Sequence, residues 1–158
     1  MNLGLQGKVA LVTGGSRGIG LATAQALVAE GCKVAVCARR ARQDPDMSAV
    51  AAAGAVALHA DVQRPEDIER AVGAVVRAFG ALDILVNNVG GGGRWGEPSI
   101  ETTPAAVWSQ VYAKNAGAAA HFTRLVVPLM RAHRWGRVVT ISSIHGIEAG
   151  GRPWFAMA

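Results

Sequence analysis

Short apolar segments recur along the chain without polar residues at alternate positions. They lie at Val9–Val12, Val34–Ala38, Ala55–His59, Leu82–Val86 and Arg137–Ile141. Continuous runs of Val, Leu, Ile and Ala are typical of strands that are buried on both faces of a parallel sheet. The pattern therefore predicts that these segments form one parallel sheet.

Segments with helical spacing separate the predicted strands. The clearest begins at Pro65, a residue favoured in a first helical turn, and ends at Gly80, a residue favoured just after a helix. Its apolar positions, three and four residues apart, include Ile68, Val72, Val75, Val76 and Phe79. Other predicted helices cover 18–29, about 47–53 and about 103–131. Right-handed crossovers between parallel strands then give an α/β, doubly wound sheet with helices on both faces.

One proline lies inside the last predicted helix. Pro128 cannot donate a hydrogen bond to the carbonyl of Arg124. The sequence therefore predicts a bend or an early end of the helix at this position.

The composition fits one folded domain over residues 1–158. Hydrophobic residues make up 51% of the chain and charged residues 17%, which excludes disorder caused by low hydrophobicity. No uninterrupted apolar run approaches the roughly 18 residues of a membrane span, and the N-terminus has no basic segment followed by a cleavable apolar one. We therefore expect a cytoplasmic protein that does not enter membranes.

The charge balance favours an anionic partner. The formal net charge is +5 and the isoelectric point is near 10.0, which suits nucleic acid, an anionic surface or a phosphorylated ligand. The basic residues are scattered with few aromatic residues among them, which disfavours nucleic acid. Cys32 and Cys37 form no metal-binding motif, and His59, His121 and His133 share no ligand spacing, so no metal site is expected.

A glycine-rich turn follows the first predicted strand. The segment from Thr13 to Gly20 places glycines at positions 14, 18 and 20. Unpaired N–H groups at the start of the next helix attract anions, and glycines let a pyrophosphate approach them closely. A dinucleotide would fit, although a tight glycine turn without a ligand is the alternative for this segment alone.

Further markers follow in order along the chain: Asp61-Val62 after the third strand, Asn87-Asn88-Val89-Gly90 after the fourth, Asn115 in the long helix and Ser142-Ser143 after the fifth. With the glycine turn they make the chain resemble the short-chain dehydrogenase/reductase family, from about Gly7 to the last residue. The resemblance implies a Rossmann-type fold whose C-terminal part is missing here. It also implies hydride transfer between a nicotinamide cofactor and a carbonyl or secondary alcohol.

The resemblance also implies residue roles. The glycine turn would bind the cofactor diphosphate, Asp61 would contact the adenine, and Asn88 would lie along the ribose and nicotinamide, while Asn87 and Gly90 hold the central strands. For Asp61 the alternative is a loop carboxylate that caps a backbone N–H. The predicted cofactor-binding residues are Gly14, Ser16, Arg17, Gly18, Ile19, Gly20, Arg39, Arg40, Asp61, Val62, Asn88 and Gly90.

The end of the second strand bears on the choice of cofactor. An acidic residue there would bind a free 2′-hydroxyl and repel a 2′-phosphate, whereas arginine pairs with the phosphate. This chain has Ala38-Arg39-Arg40 there, and Arg17 lies in the glycine turn. The sequence therefore favours NADP(H) over NAD(H), with a solvated arginine cluster as the alternative.

The family's catalytic set of Asn, Ser, Tyr and Lys is matched only in part. Asn115 and Ser143 match their positions, Phe155 stands where the tyrosine is expected, and the lysine would follow at the next position after Ala158. Phenylalanine cannot exchange a proton, and His145 is a candidate substitute or an ordinary loop histidine. The alternative function is therefore a dinucleotide-binding protein without turnover, acting as a sensor or partner subunit.

A sheet that ends with the segment 137–141 would expose a long apolar edge and leave one apolar face uncovered, and native proteins rarely leave such an edge bare. The chain is then a fragment of a longer product, is covered by another chain, or behaves poorly alone. The resemblance implies a homo-oligomer and a small-molecule carbonyl or alcohol substrate.

Overall fold

The computed structural model describes residues 3–39, 47–52, 54–91, 99 and 101–144, and it contains a five-stranded parallel sheet. The strands are β1 (Val9–Thr13), β2 (Lys33–Ala38), β3 (Val56–His59), β4 (Ile84–Asn87) and β5 (Arg137–Thr140). Their order in the sheet is β3-β2-β1-β4-β5, and each neighbouring pair is parallel. The predicted doubly wound α/β architecture is confirmed.

Helices connect the strands as the spacing predicts. They are α1 (Gly18–Ala29), α2 (Met47–Ala52), α3 (Pro65–Phe79), α4 (Ala105–Tyr112) and α5 (Ala118–Ala132). In α3, Pro65 lies in the first turn and Gly80 ends the helix with a φ of 78°, a conformation that glycine adopts easily. No helix among the described residues has the length and apolar character needed to cross a membrane.

The sheet carries a core on each face. Side chains alternate along a strand, so Leu11 packs with α3 and α5, where it meets Ile68 and Phe122. Val12 points to the opposite face, where it packs with Leu21 of α1. Both β1 side chains are 0% exposed, which explains why this strand has no polar alternation.

The long predicted helix is interrupted at a different place from the one expected. Between α4 and α5 the backbone forms a π-helical turn, Ala113–Gly117, whereas the helix passes through Pro128 and ends at Ala132. Of the bend or early end expected at Pro128, the early end is therefore wrong and the bend stays a prediction. The proline costs one hydrogen bond, and the buried side chains of Val126 and Met130 on either side keep this segment packed on the sheet.

The last strand differs from the other four. All residues of β5 are exposed, with Val138 at 40% and Val139 at 47% of their maximal accessible surface. The exposed apolar edge and face expected at this end of the sheet are present, so β5 is not buried on both faces as its apolar run alone would indicate. Within the described part of the chain, β4 is its only strand neighbour.

Candidate functional site

The sequence-predicted site residues follow the carboxyl ends of the strands or lie in the helices packed there. The strands end at Thr13, Ala38, His59, Asn87 and Thr140. Because the sheet is parallel, these ends lie along one side of it, here called the carboxyl edge. Open α/β sheets bind their ligands at this edge, so the fold brings residues that are far apart in sequence to one location.

The glycine turn is closely packed against its neighbours. Gly14 has a φ of 65°, and its N–H donates to the carbonyl of Cys37 in β2 at 2.8 Å. A Cβ at Gly20 would collide with the carbonyl oxygen of Gly14 and lie 2.5 Å from Nδ2 of Asn88. Only glycine lets the first turn of α1 approach the end of β1 this closely.

Asn88 joins the end of β4 to the glycine turn. Its Nδ2 donates to the carbonyl oxygens of Thr13 at 3.0 Å and Gly14 at 3.3 Å. The hydroxyl oxygen of Thr13 accepts hydrogen bonds from the backbone N–H groups of Asn88 and Val89, at 2.9 and 3.1 Å. Thr13 is thus a structural residue of the site that the sequence analysis missed, and its signal is a buried hydroxyl at the end of a central strand.

The side chain of Asn87 binds the helix that covers one face of the sheet. Its Nδ2 donates to the hydroxyl of Thr123 in α5 at 3.2 Å, so its side chain fixes a helix to the sheet. The role in holding the central strands that the resemblance implies for Asn87 and Gly90 stays a prediction. Asn87 is buried in β4, and the side chain of Asn88 joins the end of β4 to the end of β1.

The N-terminus of α1 has the features of an anion site. Arg17 precedes the helix in an extended conformation, and its side chain makes no hydrogen bond to the helix N-terminus. Gly18, with a φ of 55°, and Ile19, 64% exposed, leave the first turn accessible, while Ser16 is buried. Backbone N–H groups in a first turn bind phosphates, so this turn fits a dinucleotide diphosphate.

The loop after β3 is fixed by a buried carboxylate. Oδ2 of Asp67 accepts from the N–H of Asp61 at 2.9 Å, and Oδ1 accepts from Arg70 at 2.7 Å. The bond to Asp61, followed by the one to Arg70, holds the pKa of Asp67 below its usual range. The sequence analysis assigned Asp67 no role, so its support of Asp61 was missed.

Asp61 itself caps a backbone N–H. Its Oδ1 accepts from the N–H of Gln63 at 3.0 Å, which is the structural alternative considered for this residue. Val62 is buried in the core beside α3. The contact of Asp61 and Val62 with a cofactor stays a prediction, and Arg40 lies outside the described residues.

Asn115 and Ser143 lie near the ends of β4 and β5. Asn115 is buried in the π-helical turn, and its Oδ1 lies 3.5 Å from the position that a Cβ on Gly90 would occupy. Ser143 follows β5, and the N–H of Ile141 donates to the carbonyl of Asn87 at 2.9 Å, which holds this segment beside β4. π-Helical turns are frequent at functional sites. His145 and Phe155 lie outside the described residues.

One cation near the site was not singled out from the sequence. Lys114, which precedes Asn115 in the π-helical turn, donates from Nζ to the carbonyl oxygen of Gly91 at 3.2 Å. No sequence pattern links Lys114 to Arg17 or Arg39, because they are separated by more than 70 positions. Among the described residues, no group of His, Cys, Asp and Glu side chains is arranged to hold a metal ion.

Known proteins with similar sequences include dehydrogenases and reductases. D-beta-hydroxybutyrate dehydrogenase of Cupriavidus necator is 38% identical over 152 residues, which cover 94% of this chain and 57% of that enzyme. The rhamnolipids biosynthesis 3-oxoacyl-(acyl-carrier-protein) reductase of Pseudomonas aeruginosa is 36% identical over 158 residues, covering 96% of this chain and 60% of that enzyme.

The fold is also similar to solved structures. The structure of 7 alpha-hydroxysteroid dehydrogenase complexed with NADH and 7-oxo glycochenodeoxycholic acid has a TM-score of 0.87 at 27% identity, and the match covers 99% of this chain and 62% of that one. The chain therefore spans about three fifths of the length of these relatives.

A family model confirms the resemblance seen in the sequence. The model described as short chain dehydrogenase matches residues 8–156, which is nearly the whole chain. The glycine turn, the parallel sheet and the order of the markers along its carboxyl edge agree with that match. This chain belongs to the short-chain dehydrogenase family.

Proposed function

We propose that this chain is the cofactor-binding part of an NADP(H)-dependent oxidoreductase that transfers hydride between the nicotinamide and a carbonyl or secondary alcohol. The observation that carries the proposal is the glycine turn, in which Gly20 must lack a Cβ and Asn88 holds the turn against β4. This packing leaves the first turn of α1 accessible to a diphosphate. The family and the activities that its relatives are named for support the same conclusion.

Different residues along the carboxyl edge would bind different parts of the cofactor. Gly14 to Gly20, with Ser16 and Ile19, would hold the diphosphate through backbone N–H groups. Asp61 and Val62 would lie at the adenine, and Asn88 and Gly90 at the ribose and nicotinamide. This arrangement follows the strand order, because β3 and β2 lie on one side of β1 and β4 lies on the other.

The preference for NADP(H) over NAD(H) rests on two arginines. Arg39 follows β2 and is exposed, while Arg17 lies beside the first turn of α1. Guanidinium groups bind phosphate through paired hydrogen bonds, and no acidic residue follows β2 directly to bind a free 2′-hydroxyl instead. The arginines would therefore select the phosphorylated cofactor.

Catalysis would use Asn115 and Ser143. The bound nicotinamide would give or accept the hydride. The Ser143 hydroxyl would orient the substrate oxygen by a hydrogen bond, and Asn115 would hold a water molecule that relays a proton. The names of the relatives include a hydroxybutyrate dehydrogenase and a 3-oxoacyl reductase, which favours a secondary alcohol or ketone as substrate. We further propose a single cytoplasmic domain that forms a homo-oligomer.

Titration with NADPH and NADH, followed by fluorescence, tests the proposal. The double variant Arg17→Ala, Arg39→Ala should weaken NADPH binding by roughly tenfold or more and NADH binding much less, because each arginine provides charge-assisted bonds only to the 2′-phosphate. Arg77→Ala, on an exposed turn of α3, is the control for lost charge. Equal losses for both nucleotides would remove the basis for NADP(H) preference, and no binding by the folded parent chain would contradict the proposal as a whole.

A second candidate is a dinucleotide-binding protein without turnover. It is favoured by Phe155, which stands where the family has its proton-donating tyrosine. Assays with a panel of carbonyl substrates separate the two functions. Oxidation of bound NADPH supports the enzyme, whereas tight binding without oxidation supports the sensor or partner subunit.

A further inference from the structure

The loop after β3, residues 60–64, here called the Asp61 loop, is anchored on both sides of Asp61. Its neighbours Ala60 and Val62 are buried in the core beside α3. The N–H of Ala60 donates to the carbonyl of Ala38 at the end of β2 at 3.2 Å, and the carbonyl of Asp61 accepts from the N–H of Arg64 at 3.0 Å. The backbone of Asp61 therefore has a defined position at the carboxyl edge.

The carboxylate of Asp61 has one oxygen bound and one available. Oδ1 accepts from the N–H of Gln63 at 3.0 Å, which fixes the orientation of the side chain. Within the described part of the chain, Oδ2 accepts no hydrogen bond, and Asp61 is half-buried. A carboxylate only accepts hydrogen bonds, so Oδ2 suits a donor such as the exocyclic amino group of adenine.

Asp67 binds the remaining backbone group of Asp61. It is the third residue of α3 and is 4% exposed. Its Oδ2 accepts from the N–H of Asp61 at 2.9 Å, and its Oδ1 accepts from Arg70 at 2.7 Å. An acidic side chain at the third helical position often binds the N–H of the residue that precedes the helix, here Arg64. In this chain it reaches three residues further back, so the start of α3 sets the position of the Asp61 loop.

We propose that Asp67 is a positioning residue for adenine recognition: by holding the N–H of Asp61 it places Oδ2 of Asp61 against the adenine amino group. The inference rests on the proposed function, in which Asp61 lies at the adenine. Without Asp67 the N–H of Asp61 loses its partner, and the loop must shift to give that group access to water. Charge alone predicts the opposite effect, because removal of a negative charge favours an anionic cofactor. Weaker binding would therefore reflect the position of the loop.

NADPH and its hypoxanthine analogue, in which an oxygen replaces the adenine amino group, provide the test. Fluorescence titration of the full chain measures the dissociation constant of each, and thermal melting checks folding. The parent should prefer NADPH. Asp67→Ala should weaken NADPH by roughly tenfold and the analogue by less than about threefold, because only adenine offers a donor to Asp61. Asp67→Asn should retain most of the preference, since its side-chain oxygen can still accept from the N–H of Asp61.

Two single variants serve as controls. Glu66→Ala removes a carboxylate from the same helical turn, where its ion pair with Arg64 is exposed. Arg70→Ala removes the other partner of Asp67 and leaves the bond to Asp61 in place. Neither should alter the ratio of the two affinities. Asp67→Ala added to Asp61→Ala should change the ratio no further, because Asp67 acts through Asp61.

Other outcomes would overturn the inference. Equal losses for NADPH and the analogue in Asp67→Ala would mean that Asp67 supports the fold alone. A parent that binds both equally, or a ratio that changes as much in Arg70→Ala, would also contradict the role of Asp67. Asp67→Ser, whose short side chain still suits a helix start, takes the place of Asp67→Ala if that variant does not fold. A folded parent that binds neither nucleotide would contradict the proposed function itself.

Discussion

β1 and β5 have similar apolar sequences and opposite environments. Val9–Thr13 is buried at every residue, whereas Arg137–Thr140 is exposed at every residue. β1 lies between two strands and beneath helices on both faces, while β5 pairs with β4 at the end of the sheet. The difference shows that an apolar strand sequence predicts pairing, and that position in the sheet decides burial.

The contrast between a buried β1 and an exposed β5 also applies to the two parts of the candidate site that follow these strands. The glycine turn at the end of β1 is fixed by Asn88, Thr13 and the close approach of Gly20. Ser143, by contrast, follows an exposed strand that ends the described sheet. The cofactor side of the site is therefore more tightly constrained by the described residues than the side where Ser143 would meet a substrate.

The largest effect is expected from matched truncations in the two strands. Val12→Ala should lower the free energy of unfolding by about 2–3 kcal/mol, because it removes buried methyl groups from a close-packed core. Val139→Ala removes the same groups from a side chain that is 47% exposed and should cost less than about 0.5 kcal/mol. Denaturant unfolding of both variants measures the difference, and equal losses would show that β5 is covered in solution.

A pair of helical glycines sharpens the comparison at the cofactor end. Gly20→Ala should destabilise the chain by about 1–3 kcal/mol and weaken nucleotide binding, because the new Cβ meets the backbone of Gly14. Gly73→Ala in α3 is the control: its Cβ would meet only the end of the Arg77 side chain, at 3.1 Å, so it should stabilise the helix by roughly 0.5–1 kcal/mol. Thermal melting and NADPH titration measure both effects, and an undisturbed Gly20→Ala variant would contradict the close packing described for the turn.

The smallest effect is expected from thiol labelling, which compares the buried cysteines of the parent chain with a cysteine introduced in β5. Cys37 in β2 is 0% exposed, and burial raises its pKa to about 12; burial, then Glu30 and Asp83, also raises the pKa of Cys32. A raised thiol pKa reduces the reactive thiolate at mildly alkaline pH, so the folded parent should label slowly. Val139→Cys should add one thiol that labels quickly, and labelling of the parent at the same rate would refute the burial of Cys32 and Cys37.

Much of the architecture could be predicted because it depends on local pattern. Pro65 and Gly80 mark α3 in the sequence, and the apolar runs mark the five strands within one or two residues. The expected early end at Pro128 is wrong because burial on the sheet outweighs one missing hydrogen bond. The π-helical turn that contains Asn115 carries no signal in the apolar pattern and could not be foreseen.

The sequence by itself determined the family, the order of the strands along the chain and the glycine turn, since these depend on residues that are neighbours in the chain. Only the tertiary structure decided which side chains meet: Asn88 with Thr13, Asp67 with the loop of Asp61, and Lys114 with the loop of Gly91. Apart from the Asp67 contact, these hydrogen bonds join residues more than 20 positions apart in the sequence. Such contacts form when strands align in the sheet, because parallel pairing brings the ends of distant segments to one edge.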